Sequence, residues 1–218
     1  MDKETLVARA RQWSKSQMET GAGHHWAHIE RVVKNGAALA RREGADELVV
    51  QLAALMHDVI NLPKDHPERS MASTKSADAA GKWLQGKLDE RRIELVEEAI
   101  RCHSFSAEIT PESLEAKVVS DADNLDALGA IGIARVFEVG GALGTQLMNG
   151  DDPFCHGRDP DDSTYTLDHF YTKLLRLEGR FYTDSGLRAA RTRLDFMREY
   201  LTRLKEEVNP ALPSASST

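Results

Sequence analysis

Apolar residues recur every three or four positions along most of this chain, which is the spacing of one buried face of an α-helix. Leu6, Ala10 and Trp13 follow this spacing near the start. A second helix is predicted to end at Gly44, because glycine is the usual residue just beyond a helix C-terminus. The core-facing positions of that helix are His28, Ile29, Val32, Val33, Ala37 and Ala40.

A third helix is predicted to begin after Asp46, which is a typical N-cap residue. Apolar residues lie on nearly every side of this helix: Leu48, Val49, Leu52, Ala53, Leu55, Met56 and Val59. A helix without a polar face belongs in the middle of a bundle.

The remaining chain continues in helical periods that are separated by proline- and glycine-rich loops. Further helices are predicted at 68–88, 89–103, 111–130, 131–148, 165–177 and 184–207. No segment alternates between apolar and polar residues as a strand would. We therefore predict an all-α, single-domain helical bundle over residues 1–207, with a core at about 20–130, additional C-terminal helices at 131–207 and a disordered tail at 208–218.

Composition narrows the possible partners. The chain has 218 residues and a formal net charge of −7, with lysine and arginine scattered along it. This balance argues against duplex nucleic acid or an anionic membrane as the main partner. No apolar run approaches the roughly 18 residues that span a bilayer, and the start does not resemble a signal peptide. We expect a cytoplasmic protein in which Cys102 and Cys155 are reduced thiols.

Three segments place metal-ligand residue types among core residues of predicted helices. These residues are His28, the pair His57 and Asp58, and the acidic group Asp121, Asp123 and Asp126. An ionised carboxylate is costly to bury unless it is paired, and a divalent cation shared by the three helices would satisfy all of them. Each residue by itself is also compatible with an ordinary structural role.

The order H…HD…D on successive helices resembles the HD-domain superfamily of metal-dependent phosphohydrolases. The resemblance extends over about residues 20–205 and is to a bacterial subgroup of predicted HD hydrolases. The segments that carry it are GHHWAHIERV, LAALMHDVINLPKDHPER, AIRCHSFS, KVVSDADNLDALGAIGIAR, DDPFCHGR and LDHFYTKLLRL. It implies a helical bundle with one divalent metal ion (Mn, Mg, Ni, Co or Fe) on His28, His57, Asp58 and Asp123. Periodicity also lets Asp121 face the core, so Asp121 stays the alternative for the last ligand, but the resemblance favours Asp123.

One position departs from the subgroup pattern, in which an aspartate commonly follows Gly-His. This chain has Gly23-His24-His25 instead, so His25 is a suspected functional residue.

The resemblance also implies a reaction, the attack of a metal-activated water on phosphorus, with Asp58 orienting or deprotonating that water. Phosphate oxygens need cationic or hydrogen-bond donor groups, for which Lys64, Arg69 and His103 are the candidates. Lys64 and Arg69 are equally compatible with ordinary solvated loop charges. Asp126 is predicted either to contact a substrate hydroxyl or to accept a structural hydrogen bond.

The expected substrate is a small phosphorylated metabolite, with a nucleotide favoured, and the leaving group can be phosphate or pyrophosphate. Two alternatives remain: an HD-fold di-iron oxygenase, for which His24, His25 and His103 are possible extra ligands, and a non-catalytic metal-stabilised ligand-binding domain. The apolar stripe of the last helix is compatible with core packing or a subunit contact, so monomer and homodimer both stay open. The chain has no GxxxxGK[ST], GxGxxG or GxSxG motif, which disfavours NTP-driven motors, Rossmann dehydrogenases and α/β-hydrolases.

Overall fold

The computed structural model describes residues 1–18, 26–62, 66–104 and 109–209, and helices form most of its regular structure. The α-helices are α1 (Lys3–Met18), α2 (Trp26–Glu43), α3 (Glu47–Met56), α4 (Ala72–Leu84), α5 (Glu90–His103), α6 (Leu114–Asp126), α7 (Gly129–Leu143), α8 (His169–Thr172) and α9 (Asp184–Val208). Within the described ranges there is no strand, and an isolated bridge pairs Gln146 with Tyr165. The predicted all-α class is confirmed.

Helix α3 is buried on nearly every side, as its sequence predicted. Eight of its ten residues are buried, and it packs against α1, α2, α5 and α6. Its N-terminus is capped by Asp46, whose carboxylate accepts hydrogen bonds from the backbone N–H groups of Leu48 and Val49. The C-terminal end of α3, where the His57-Asp58 pair follows, is therefore held inside the bundle.

Local signals also placed other helix ends correctly. Helix α2 ends at Glu43, and Gly44 follows with a left-handed φ of +79°. Asp89 caps α5 by accepting a hydrogen bond from the backbone N–H of Arg92. These ends depend on residues within a few positions of one another, which is why the sequence indicates them.

The helix predicted at 111–130 is wrong as a single element, because α6 ends at Asp126 and α7 begins at Gly129. Gly129 has a φ of +70°, a left-handed conformation that glycine adopts at little cost and that interrupts the helix. The helix predicted at 131–148 is shorter than expected, since α7 ends at Leu143 and Gly144 follows with a φ of +71°.

Two further predicted helices are shorter or broken. The 68–88 segment forms a 3-10 turn at Arg69–Met71 and then α4, which ends at Leu84. The 165–177 segment is a series of short pieces, two 3-10 turns (Thr166–Asp168 and Leu174–Arg180) around the four-residue α8. Its apolar residues are buried at helical spacing, so periodicity indicated burial correctly without indicating a continuous helix: Leu167, Phe170, Leu174 and Leu177.

The chain forms two compact units. The first contains Met1–Asp126 and Arg180–Ala189, and the second contains Ala127–Gly179 and the described part of Ala190–Thr218. The single-domain organisation stays a prediction, and most of the predicted 208–218 tail lies outside the described residues. In the second unit the buried carboxylate of Asp168 pairs with the guanidinium of Arg158 at 2.7 Å.

Two further observations bear on the sequence predictions. Cys102 and Cys155 are free thiols, and burial raises the pKa of Cys155 to about 11. Among the described helices, none has the length and apolar character needed to cross a bilayer.

Candidate metal centre

Four helices of the first unit bring histidine and aspartate side chains into one buried cluster. His28 lies in the first turn of α2, His57 directly follows α3, and His103 is the last residue of α5. Asp58 follows His57, and Asp123 lies on α6. The three histidines are buried, whereas the two aspartates are partly exposed, with 18% and 26% of their side-chain surfaces accessible. The cluster therefore has an open side formed by its carboxylates.

The polar atoms of the cluster lie within a few ångströms of one another. Asp123 Oδ1 is 3.3 Å from the Nε2 atom of His28 and 3.9 Å from that of His57. Asp58 Oδ2 is 3.7 Å from His57 Nε2, and Asp58 Oδ1 is 3.5 Å from His103 Nε2. The His57 ring stands edge to face against the rings of both other histidines, at centroid distances of 5.4 and 4.7 Å.

All three imidazoles present the same nitrogen to the cluster, because the other nitrogen of each ring has an acceptor behind it. Nδ1 of His57 lies 2.9 Å from the Ala54 carbonyl oxygen, and Nδ1 of His103 lies 2.6 Å from that of Ile100. Nδ1 of His28 lies 2.7 Å from a carboxylate oxygen of Asp126. Carbonyl and carboxylate oxygens only accept, so each Nδ1 donates its proton, and Nε2 of a neutral ring then carries a lone pair.

His57 is the clearest case of a nitrogen without a hydrogen-bond partner. Its Nε2 atom is fully buried and makes no hydrogen bond. Burial lowers the pKa of His57 to about 4, so the ring is neutral at neutral pH. A buried lone pair without a donor is unusual in a native protein and indicates that a further group belongs at this position.

The histidines and aspartates of the cluster shift one another's pKa values. Burial works against the ionised form of Asp123, but its contacts with the His28 ring and the neighbouring imidazoles outweigh that cost, so the pKa of Asp123 lies well below its usual range. Burial also works against protonated His103, but the hydrogen bond and charge attraction of Asp58 outweigh it and raise the pKa of His103. The cluster is thus anionic at its carboxylates and favours a cation.

The donor set fits a divalent metal ion. One ligand atom from each of His28, His57 and Asp58 lies within 4.8 Å of the other two. Adjacent ligands on an octahedral ion with bonds near 2.1 Å stand about 3 Å apart and opposite ligands about 4 Å apart. The 3.3, 3.7 and 3.9 Å separations to Asp123 and Asp58 fall in or close to this range. Imidazole nitrogens and carboxylate oxygens together suit Mn²⁺, Fe²⁺, Co²⁺, Ni²⁺ and Zn²⁺.

The structure distinguishes the two aspartates that the sequence left open. Asp123 faces the histidines, whereas Asp121 is fully buried and binds the chain just before α9. Asp121 Oδ1 accepts a hydrogen bond from the backbone N–H of Tyr182, and Oδ2 accepts from the backbone N–H and hydroxyl of Thr183, at 2.7–2.9 Å. The contacts of Asp121 are therefore structural.

Asp126 lies behind His28. Its buried carboxylate accepts from His28 Nδ1 and from two nitrogens of Arg31. Of the two roles that the sequence left open for Asp126, these contacts support the structural hydrogen bond. Arg31 was missed by the sequence reasoning, although a charged residue three positions after His28 on the core side of α2 was a usable signal.

The remaining candidates lie outside the cluster or outside the described residues. The guanidinium of Arg69 donates hydrogen bonds to the Asn61 side chain and the Leu62 carbonyl, so its contacts hold the loop that follows the His57-Asp58 pair. Lys64, His24 and His25 lie outside the described residues. Their predicted roles stay predictions.

Known proteins place this cluster in a family. The HD domain model matches residues 26–128, the range that holds the cluster. The YpgQ protein of Bacillus subtilis (strain 168) is 32% identical over 208 residues, which is 95% of either chain. A crystal structure of Bacillus subtilis YpgQ in complex with ADP matches at 31% identity with a TM-score of 0.73, covering 97% of this chain and 99% of that one. An HD-superfamily hydrolase from Bacillus thuringiensis matches at 32% identity with a TM-score of 0.76, covering 96% and 100%.

Proposed function

This chain belongs to the HD-domain family, and on that premise we propose that it is a divalent-metal-dependent phosphohydrolase acting on a small phosphorylated metabolite. The observation that carries the proposal is the buried Nε2 atom of His57. It has no hydrogen-bond partner, lies 3.7 Å from Asp58 Oδ2 and 3.9 Å from Asp123 Oδ1, and belongs to a ring that packs against the rings of His28 and His103. A cation is the simplest group that satisfies these lone pairs at once.

We assign the metal ligands to His28, His57, Asp58 and Asp123. These four side chains would hold a divalent ion through two imidazole nitrogens and two carboxylate oxygens, a ligand set that suits such ions. The ion would supply Lewis acidity, lowering the pKa of water and polarising a phosphoryl oxygen. The imidazoles of His28 and His57 would contribute nitrogen lone pairs to the ion, and the carboxylates of Asp58 and Asp123 would contribute the negative charge.

The protein side chains also handle the proton. Hydrolysis forms a bond between water oxygen and phosphorus and breaks the bond from phosphorus to the leaving oxygen. Asp58 is partly exposed at the open side of the cluster and is positioned to orient the attacking water and accept its proton. His103, 3.5 Å from Asp58, fixes that carboxylate and offers a donor toward a phosphoryl oxygen. We keep Lys64 and Arg69 as candidates for the substrate phosphates.

A nucleotide is the substrate class that we propose. The support comes from the similar YpgQ protein of Bacillus subtilis, whose crystal structure contains ADP. The phosphate groups of a nucleotide carry oxygen atoms of the kind that divalent ions bound by carboxylates take as ligands. We do not assign the base, the sugar or the bond that is broken.

The test is a hydrolysis screen on metal-reconstituted protein. Chelated protein is loaded separately with Mn²⁺, Mg²⁺, Ni²⁺, Co²⁺ and Fe²⁺ and incubated with nucleoside mono-, di- and triphosphates, while phosphate and pyrophosphate are measured separately. Asp58→Asn is the test variant. Asp78→Asn is its matched control, because Asp78 lies on α4 with 58% of its side chain exposed.

We expect metal-dependent turnover of one nucleotide class that Asp58→Asn abolishes and Asp78→Asn retains. Equal turnover in the Asp58→Asn variant would overturn the mechanism. Metal binding without hydrolysis of any nucleotide would overturn the proposed substrate class and favour the ligand-binding or oxygenase alternatives.

A further inference from the structure

A chain of three side chains extends from the candidate metal centre into the interface of α2 and α6. The Nδ1 atom of His28 donates to Asp126 Oδ2 at 2.7 Å. Arg31 then binds the same carboxylate with two nitrogens, Nε to Oδ1 at 2.6 Å and Nη2 to Oδ2 at 2.9 Å. Such a two-bond contact fixes the plane of a carboxylate as well as its position.

The helices present these residues in matching pairs. His28 and Arg31 are three positions apart on α2, and Asp123 and Asp126 are three positions apart on α6, so each pair lies on one helix face. The first member of each pair faces the cluster, with His28 Nε2 at 3.3 Å from Asp123 Oδ1. The second members, Arg31 and Asp126, contact each other one helical turn away.

The burial of Asp126 makes the pairing energetically important. Only 2% of its side-chain surface is exposed, whereas 32% of the Arg31 side chain is accessible. A carboxylate buried this deeply is costly without a cationic partner. The positive charge of the Arg31 guanidinium neutralises the negative charge of Asp126. The carboxylates of Asp58 and Asp123 then carry the two negative charges that would face a divalent ion.

We propose that Arg31 and Asp126 are positioning residues that set the metal affinity of the centre by holding the imidazole of His28. Asp126 fixes the ring so that Nε2 faces the cluster, and Arg31 keeps the Asp126 carboxylate from rotating away. Loss of either residue frees the ring and weakens the metal site, because a histidine ligand depends on the acceptor behind its other nitrogen. This inference rests on the metal site of the proposed function.

The test compares four variants of the full-length protein: Asp126→Asn, Arg31→Gln, Arg31→Lys and the double variant of Arg31→Gln with Asp126→Asn. Arg41→Gln is the matched control, because Arg41 lies on the same helix in an exposed ion pair with Glu47. The Mn²⁺ dissociation constant is measured by calorimetry. Nitrogen-15 NMR of histidine-labelled, metal-free protein reports which ring nitrogen of His28 is protonated, and circular dichroism establishes that each variant is folded.

We expect Asp126→Asn to weaken Mn²⁺ binding about 10–100-fold, the range for residues that support a metal ligand. Arg31→Gln should weaken it about 10-fold by the same route, and Arg31→Lys should recover part of that loss. The double variant should bind no more weakly than Asp126→Asn, since Arg31 acts through Asp126. In the NMR spectra the single Nδ1–H form of His28 should give way to a mixture in Asp126→Asn and Arg31→Gln, and Arg41→Gln should match the wild type.

Additive losses in the double variant, or wild-type affinity in Arg31→Gln, would overturn the role of Arg31. If the wild-type protein binds no Mn²⁺, the proposed metal site fails, and the NMR experiment then decides the positioning role separately. A His28 spectrum that is unchanged in Asp126→Asn and Arg31→Gln would overturn that role as well.

Discussion

The replacement of Asp121 by asparagine tests whether this residue is structural and Asp123 is the metal ligand. The two carboxylates are two positions apart on α6 but make different contacts. Asp121 accepts three hydrogen bonds from Tyr182 and Thr183, whereas Asp123 faces His28 and His57. Asp121→Asn should therefore lower stability, and Asp123→Asn should lower metal affinity.

The magnitude for Asp121→Asn follows from those three contacts. If the new amide oxygen keeps the two bonds of Thr183, the amide nitrogen faces the backbone N–H of Tyr182, and two donors then oppose each other. A hydrogen bond to a charged group contributes about 1.5–3 kcal/mol. Burial raises the pKa of Asp121 even though its hydrogen bonds act in the opposite direction, which shows that the buried negative charge is costly. Asparagine removes that charge, and this gain offsets part of the stability lost with the hydrogen bond. We expect a net destabilisation of about 2 kcal/mol.

Thermal unfolding of metal-free protein in chelator is the assay for stability. For a chain of this length about 2 kcal/mol corresponds to a fall in Tm of about 4–8 °C. Calorimetric titration with Mn²⁺, at a temperature below the unfolding transitions of both variants, is the assay for the metal site. Asp121→Asn should keep the wild-type dissociation constant, and Asp123→Asn should lose binding while its metal-free Tm stays near that of the wild type. The opposite pattern, with metal binding lost only in Asp121→Asn, would refute the assignment.

Three other predictions concern the metal and the second unit. Mn²⁺ at about 100 times its dissociation constant should stabilise the fold by about 2.7 kcal/mol and raise Tm by about 5–10 °C. Burial works against the charge of Asp168, but the hydrogen bonds of Arg158 outweigh it and lower its pKa, so its stabilisation is present above about pH 4 and is lost at lower pH. The stability difference between wild type and Asp168→Asn in urea should therefore shrink as pH falls from 6 to 3. Gly140→Ala should cost about 1–3 kcal/mol, because a Cβ there lies 2.2 Å from Thr166 Oγ1, while Gly141→Ala should stabilise by up to about 1 kcal/mol, because nothing lies within 4 Å.

Each of these predictions has a contradicting result. A Tm that does not respond to Mn²⁺ would count against a metal site in the folded protein. A stability difference between wild type and Asp168→Asn that grows as the pH falls would mean that the pKa of Asp168 is raised rather than lowered. Equal effects of the two glycine replacements would show that the contact at Gly140 does not constrain the helix.

Local helix signals were readable from the sequence because they act over a few positions. Asp46 and Asp89 cap helices whose first N–H groups lie within three residues of them, and Gly44 ends α2 in a left-handed conformation. The all-α class and the buried position of α3 follow from apolar spacing in the same way. The interruption at Gly129 was not predicted, because the apolar pattern continues through it.

The sequence predicted which residue types form the candidate site but not which of their atoms contact one another. Histidine and aspartate among core residues on separate helices indicated a shared cation, and the structure brings His28, His57, Asp58, His103 and Asp123 into one cluster. Which histidine nitrogen faces that cluster depends on acceptors that periodicity does not describe.

The sequence by itself determined the all-α class, the ends of several helices and the polar residues that they bury, since these depend on neighbours in the chain. Only the tertiary structure decided that Asp123 rather than Asp121 faces the histidines, and that His28 and Arg31 contact the same carboxylate of Asp126. His28 and Arg31 meet Asp126 across 98 and 95 positions, respectively. Contacts at such separations depend on how α2 and α6 pack, and packing is a property of the whole first unit rather than of any one segment.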